Sequence, residues 1–271
     1  MTRKLRNRSG VTIAALLIGL LALAFSAPAN NVRAADNRSI YWQRWDVLID
    51  NIDTTNNVFH VTETHYLQVV TGPFNGGDRD IPLNHVTAID NGKITDGETV
   101  LSAQNATPKD CPKTLGIVCI STDVGANQYI MYYNFAQQAH DNEVRIITIE
   151  YDVHGALRSY PGGDQLDWNA LADNRPALIK AATVTVKMPL NVHPQIAASY
   201  PTTWLIGNQG SVYAFTAPGN LGIADNVEIR IQYPHNPMMS APPWQKPFDP
   251  VTPLATSNAT TQATSASNVG Q

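Results

Sequence analysis

Five residues near the middle of the chain have side chains that could do chemistry. They lie in a segment rich in glycine, proline and aromatic residues, which we predict to be a loop over residues 155–169. Two carboxylates beside an aromatic platform are the residue types of a sugar-cleaving site or a calcium site. Calcium requires more oxygen ligands than this segment offers. The candidate residues are Tyr160, Asp164, Asp167, Trp168 and Asn169.

The same residues also fit a structural role, which we favour. Trp168 would fill the end of a hydrophobic core, and Asp167 or Asn169 would accept hydrogen bonds from turn amides. Two acids three positions apart occur in many loops, so the spacing alone does not predict catalysis. This interpretation predicts no catalytic residue in the segment.

Arg79 is a sixth candidate, because it follows a glycine-rich turn at Gly76-Gly77. Such a turn can bind an anion, but this one lacks the spacing and the helix start of a phosphate loop. We favour pairing of Arg79 with a carboxylate. Motifs of serine hydrolases, zinc proteases and EF-hands do not occur, and we predict no cofactor and no metal.

The first 34 residues are typical of an export signal. Four basic residues precede an uncharged, mostly apolar run from Val11 to Phe25, and small residues follow it up to our preferred cleavage site after Ala34. This run is short for a bilayer-spanning helix, although an uncleaved anchor stays open. After cleavage the chain would carry 13 basic and 22 acidic residues. That balance argues against binding to nucleic acid or to an anionic membrane surface.

The two cysteines, Cys111 and Cys119, flank a predicted turn at Leu115-Gly116. In an oxidising compartment a close pair of this kind predicts a disulfide that fixes a hairpin. Zinc is the alternative, but no second pair of cysteine or histidine ligands accompanies them.

The remaining chain predicts an all-β fold. The central stretch Val144–Val153 is apolar on both faces, as in a strand inside a sheet, and about ten short strands separated by turns suggest an antiparallel β-sandwich over residues 35–236. Trp42 and Trp45 differ in parity, so we expect one in the core and one exposed. Residues 237–271 are rich in proline, then in serine, threonine and alanine, and predict a disordered linker or tail on which Trp244 could dock back.

Several of these stretches together resemble the N-terminal extracytoplasmic domain of the bacterial membrane-protein family called domain of unknown function 2207. The resemblance spans residues 38–236, and its most specific part is Tyr151 to Asn169. The matching stretches are Val61–Thr64, Arg79–Pro82, Ile149–Tyr151, Gly155–Leu157, Tyr160, Asp164–Asn169, Ala182–Val186 up to Pro189, and Val227–Tyr233.

The resemblance implies an all-β domain held outside the membrane by hydrophobic helices that follow it. No segment after residue 34 of this sequence is apolar enough to span a bilayer. Membrane attachment through missing C-terminal helices, attachment through an uncleaved N-terminal segment, and secretion all stay open. The family supplies no catalytic residues.

We therefore predict a non-catalytic, exported interaction or sensing module whose partner is a protein or glycan at the cell envelope. The alternative is a carbohydrate-binding protein or a glycan-acting hydrolase that uses the Asp164–Asn169 segment.

Overall fold

The computed structural model describes residues 37–171 and 175–245. Within these ranges the chain forms fifteen strands and no helix, which confirms the all-β class. The predicted signal peptide lies outside the described residues, and so does the predicted tail beyond residue 245.

An eight-stranded sheet forms the largest part of the fold. Its strands are β1 (Ser39–Asp53), β2 (Val58–Thr71), β4 (Ala88–Asp96), β5 (Thr99–Val100), β9 (Val144–His154), β11 (Ala182–Lys187), β13 (Leu205–Gln209) and β14 (Val212–Thr216). They stand in the order β13-β14-β11-β1-β2-β9-β4-β5. All neighbours pair antiparallel except β1 and β11, which are parallel.

Two smaller sheets complete the domain. Their strands are β3 (Phe74–Pro82), β6 (Ser102–Asn105), β7 (Ile117–Asp123), β8 (Gln128–Ala139), β10 (Asp164–Leu171), β12 (Ile196–Tyr200) and β15 (Val227–Tyr233). One sheet has the order β3-β8-β7-β6 and the other β10-β15-β12. Buried residues from all three sheets form a single hydrophobic core.

Strand alternation places the core where the sequence predicts it. On β9, the side chains of Ile147, Ile149, Tyr151 and Val153 are fully buried, whereas Val144 and Ile146 lie on the other face and are partly exposed. The first two strands form a hairpin, with β1 and β2 paired along almost their whole length. β9 pairs with β2 on one side and with β4 on the other, so it is an interior strand as expected.

The prediction for the two N-terminal tryptophans is wrong. The register of β1 against β2 shifts between Trp42 and Arg44, which marks a β-bulge. A bulge inserts one residue and so reverses the parity of the residues after it. Trp42 and Trp45 therefore both point into the core, with ring centroids 5.2 Å apart.

Two predicted loops are strands instead. The glycine-rich segment before Arg79 forms β3, where a Cβ on Gly76 would overlap the backbone of Tyr133 on β8. The segment that begins at Asp164 forms β10, paired with β15. In both cases glycine and acidic residues suggested a turn, while long-range pairing decided the conformation.

The cysteines form the predicted disulfide, with Cα atoms 5.8 Å apart. It does not close a hairpin, because β6 and β7 on either side of the loop pair in parallel. The disulfide instead fixes the connection between these two strands.

The boundary predicted at residue 236 falls short of the packed chain. Pro234–Gln245, hereafter the C-terminal strap, continues across the domain. In it Met239 is buried, the Trp244 indole N–H donates to the Gly155 carbonyl at 2.6 Å, and Gln245 exchanges two hydrogen bonds with Ser159. The expectation that this stretch is disordered is therefore wrong for residues 237–245.

Candidate functional site

Arg79 lies in the core rather than on a binding surface. It is buried on β3 and forms an ion pair with Glu63 of β2, with Nη2 3.0 Å from Oε1 and Nε 3.1 Å from Oε2. The favoured interpretation, pairing with a carboxylate, is the geometry observed. Glu63 occupies an inward position of β2, so its charge requires a buried partner.

Two more side chains complete the group around Glu63. The Tyr151 hydroxyl of β9 donates to Glu63 Oε1 at 2.8 Å, and His65 Nε2 lies 3.1 Å from Oε2. The His65 ring also packs on Trp45, with centroids 3.8 Å apart. We call Glu63, His65, Arg79 and Tyr151 the buried polar cluster.

Burial and charge act against each other on these groups. Burial raises the pKa of Glu63, but Arg79 and His65 together lower the pKa further, to about 2. Burial lowers the pKa of His65, which Glu63 opposes only in part. Burial and the Glu63 charge raise the pKa of Tyr151 well above its usual value. The cluster therefore holds an ionised carboxylate against an ionised guanidinium, with a neutral tyrosine and a histidine disfavoured as a cation.

Asp164 is a fully buried carboxylate that joins β10 to the C-terminal strap. Its Oδ1 accepts the Tyr160 backbone N–H at 3.0 Å and lies 2.8 Å from His235 Nδ1, while its Oδ2 accepts the Asn236 backbone N–H at 2.8 Å. Tyr160 is itself buried. These partners give Asp164 a structural role at the start of the strap.

Asp167 lies on the opposite face of β10 from Asp164, because side chains alternate along a strand. Its Oδ2 sits between two guanidinium groups, 2.9 Å from Arg158 Nη2 and 3.1 Å from Arg230 Nη2. Burial raises the pKa of Asp167 to about 6, although the two arginines act to lower it. The two acids therefore do not form the pair that a glycan-acting hydrolase would need.

Trp168 points inward, as the structural interpretation predicts. Its side chain is buried and meets the Phe59 ring edge-on, with centroids 5.4 Å apart. Asn169 is the one exposed residue among the five candidates of this segment. The segment therefore brings four of the five candidate residues onto β10, with Tyr160 in the loop before it, and it presents no aromatic platform to a ligand.

The face of the eight-stranded sheet opposite the core, which we call the outer face, is polar and partly accessible. A cross-strand row of five half-buried side chains crosses it at the level of Asp46. Beside that row, Lys93 Nζ lies 2.7 Å from Glu150, and His60 Nδ1 lies 2.6 Å from Asp152. The row, in strand order from β11 to β4, is Thr183, Asp46, Thr64, Thr148 and Thr95.

Sequence reasoning missed Glu63, Tyr151, Arg158 and Arg230 as partners of the candidate residues. Glu63 could have been found, because an acid at an inward position of an alternating strand needs a buried cation. The arginines could not, since their pairing with Asp167 depends on the β10–β15 register and on an isolated bridge between Arg158 and Gln165. Among the described residues no group of three or more histidine, cysteine or acidic side chains is arranged to hold a metal ion.

Residues 51–266 match the profile of a family described as "Predicted membrane protein (DUF2207) N-terminal domain". The chain belongs to this family. Within the described ranges, no helix has the length and apolar character needed to cross a membrane. A comparison with curated proteins found no significant match.

Two solved enzyme structures match part of this DUF2207 chain at low identity. Yeast LTA4 hydrolase in complex with bestatin is 8% identical, with a TM-score of 0.46, over 71% of this chain and 28% of that one. The M1 zinc metallopeptidase from Deinococcus radiodurans is 12% identical, with a TM-score of 0.37, over 72% of this chain and 42% of that one. The chain thus spans less than half the length of either enzyme, and similarity at this level carries no inference about activity.

Proposed function

We propose that this domain is a non-catalytic interaction or sensing module of the cell envelope, held on the outside of the membrane. One observation carries the proposal: the acids that suggested chemistry are bonded to the fold itself. Asp164 binds the C-terminal strap and Asp167 lies between Arg158 and Arg230, and a further buried acid, Glu63, pairs with Arg79. Side chains engaged in this way stabilise a scaffold and leave recognition to its surface.

An extracytoplasmic location is supported by three features of the chain. The family is one of predicted membrane proteins, the sequence begins with an export-type segment, and Cys111 is bonded to Cys119. Structural disulfides persist in oxidising compartments and are rare in reducing ones.

The outer face is the surface that best suits recognition of a protein or glycan. Its central row spans five adjacent strands, or about 19 Å at the usual strand spacing. Threonine hydroxyls both donate and accept hydrogen bonds, and the neighbouring ion pairs keep the outer face hydrated. Polar, solvent-accessible side chains of this kind are typical of the rim of non-obligate protein–protein interfaces.

Enzyme assays test the non-catalytic part of the proposal. The whole chain is incubated with panels of glycans and peptides, and we expect no product. Product formation that is lost in Asp167→Asn but kept in Asn169→Ala would overturn the proposal, because Asn169 is exposed on the same strand.

Site-specific photocrosslinking in cells of the source organism tests the recognition surface. A photoreactive residue replaces Thr148 at the centre of the outer face, and a matched control replaces the exposed Asn105 on β6. We expect a defined adduct at position 148 and none at position 105. Equal labelling at positions 148 and 105, or no adduct at position 148, would contradict an assignment to the outer face.

A further inference from the structure

A long stretch of the chain carries no charge. Residues 188–224, which are 37 consecutive residues, contain no aspartate, glutamate, lysine or arginine, although these make up 15% of the whole sequence. The stretch includes β12, β13 and β14. Several of its apolar side chains lie in solvent, among them Leu190 with 88% of its surface exposed and Leu205 with 67%.

β13 lies at one edge of the eight-stranded sheet inside this stretch. It pairs with β14 from Leu205 to Gln209 without a register shift, and in the described chain its other side has no strand partner. Trp204, directly before it, is buried, and Ile206 packs against the core. The edge is therefore held firmly in an extended conformation with a row of free backbone amides and carbonyls.

β13 lacks the usual protection of an edge strand. Such edges are blunted by charged side chains, proline, bulges or very short strands, and β13 has none of the first three. The opposite edge of the same sheet, β5, has only two residues. In the smaller sheets, β3 carries Asp78 and ends at Pro82, and β10 is bridged by Arg158. The other two edge strands are also uncharged, but β6 has only four residues and β12 is followed directly by Pro201.

We propose that the β13 edge is a strand-addition site for a second copy of this chain, which would join two eight-stranded sheets into one. The whole chain has a net charge of −4, so a net repulsion opposes the approach of two copies. A charge-free edge is a place where that repulsion is small. An antiparallel pair related by a two-fold axis uses the same residues twice, as symmetric dimers require.

The register follows from the symmetry. With the axis at the central residue, Gly207 of one copy faces Gly207 of the partner, and Leu205 faces Gln209. No like charges meet in this arrangement. Five paired residues bury less than the roughly 1,200 Å² of a stable interface, so the dimer is weak and concentration-dependent. Confinement of both copies at one membrane would raise their effective concentration.

Substitutions at Gly207 test the edge directly. A Cβ at this position meets no atom within 4 Å, and its φ is not in the left-handed region, so larger residues fit the monomer. Gly207→Lys places two cations opposite each other at the axis and should weaken dimerisation about tenfold or more. Gly207→Thr adds a strand-forming side chain and should preserve it. Gln104→Lys, at the exposed edge strand β6, controls for the added charge.

Sedimentation equilibrium of the whole chain up to about 1 mM gives the readout. We expect a monomer–dimer equilibrium in the natural chain, in Gly207→Thr and in Gln104→Lys, and a shift toward monomer in Gly207→Lys. A chain that stays monomeric throughout overturns the proposal, as does a dimer that survives Gly207→Lys. Monomeric chain that binds an unrelated extended peptide at this edge also overturns it, because the occupant would then be a different protein. Equal thermal unfolding of the variants shows that the changes act on association and not on folding.

Discussion

The buried polar cluster shows how single residues set the requirements of this fold. Glu63 occupies an inward position of β2, where strand alternation normally places an apolar residue. Removal of its charge from water costs several kcal/mol. Arg79, Tyr151 and His65 offset that cost by surrounding the carboxylate with donors. A cluster of this kind is destabilised more by losing one member than it would be by apolar replacement of all of them.

Glu63→Gln should destabilise the domain by about 3–5 kcal/mol near neutral pH, because Arg79 remains buried without its counter-charge. Chemical unfolding of the purified chain measures the change. The double substitution Glu63→Leu with Arg79→Met removes both charges and should recover part of the loss. A cost of less than about 1 kcal/mol would mean that buried Arg79 does not depend on Glu63 as its counter-charge.

The same carboxylate should make stability depend on pH. The pKa of Glu63 is lowered to about 2, so its contribution is present above its usual pKa near 4.5 and is lost as pH falls toward 2. The difference in unfolding free energy between the natural chain and Glu63→Gln should therefore narrow from pH 5 to pH 3. The raised pKa of Asp167 has the opposite effect on stability, but Asp167 is present in both proteins, so its contribution cancels in this difference. A constant difference over that range would contradict an ionised Glu63.

Trp168 provides a second test at this scale. Trp168→Ala should cost about 3–5 kcal/mol, because the ring is buried and packs on Phe59. Asn169→Ala, at the exposed neighbouring position, removes only the side-chain amide's hydrogen bonds to the Leu171 and Val227 carbonyls and should cost about 1 kcal/mol or less. Similar small effects of both substitutions would show that Trp168 is a displayed side chain rather than part of the core.

At the scale of elements, the alternation of apolar and polar residues was sufficient to predict the strands that lie in long antiparallel pairs. The β1–β2 hairpin and the interior strand β9 follow from period-two patterns, since one face of each is buried. Alternation could not show the bulge between Trp42 and Arg44, the parallel β1–β11 pairing, or the strand β10 in a segment that composition assigned to a loop. These features depend on partners more than a hundred residues away in some cases, which no local pattern records.

The C-terminal strap is the element whose attachment is easiest to test. Trp244→Ala removes the indole bond to the Gly155 carbonyl and the ring contacts with His85 and Arg158. Amide exchange over residues 235–245 should accelerate about tenfold, which corresponds to about 1.4 kcal/mol of local stability. Pro243→Ala, at an exposed site in the same segment, serves as the control. Unchanged exchange in Trp244→Ala would mean that Asp164 and Asn236 hold the strap without the indole.

At the scale of the whole molecule, the two ends of the described chain leave from opposite ends of the long strands. Ser39 pairs with Thr71 near the start of β9, whereas the strap ends beside Gly155, just after β9 finishes. An 11-residue strand spans about 36 Å, so segments that precede and follow the domain emerge far apart.

The N-terminal residue of the exported protein distinguishes cleavage of the export-type segment from its retention. We expect cleavage after Ala34, because a basic region, an apolar run of 15 residues and a small-residue site precede it. The mature chain would then begin at Ala35, four residues before β1, which leaves little chain between the cleavage site and the folded domain.

Mass spectrometry of intact protein from the source cells measures whether residues 1–34 are removed, and a mass that includes them would mean that the segment is kept as an anchor. In that case Ala34→Arg should leave the measured mass unchanged apart from the substitution itself. If Ala35 is the first residue, the same substitution should block processing and add the mass of the uncleaved segment.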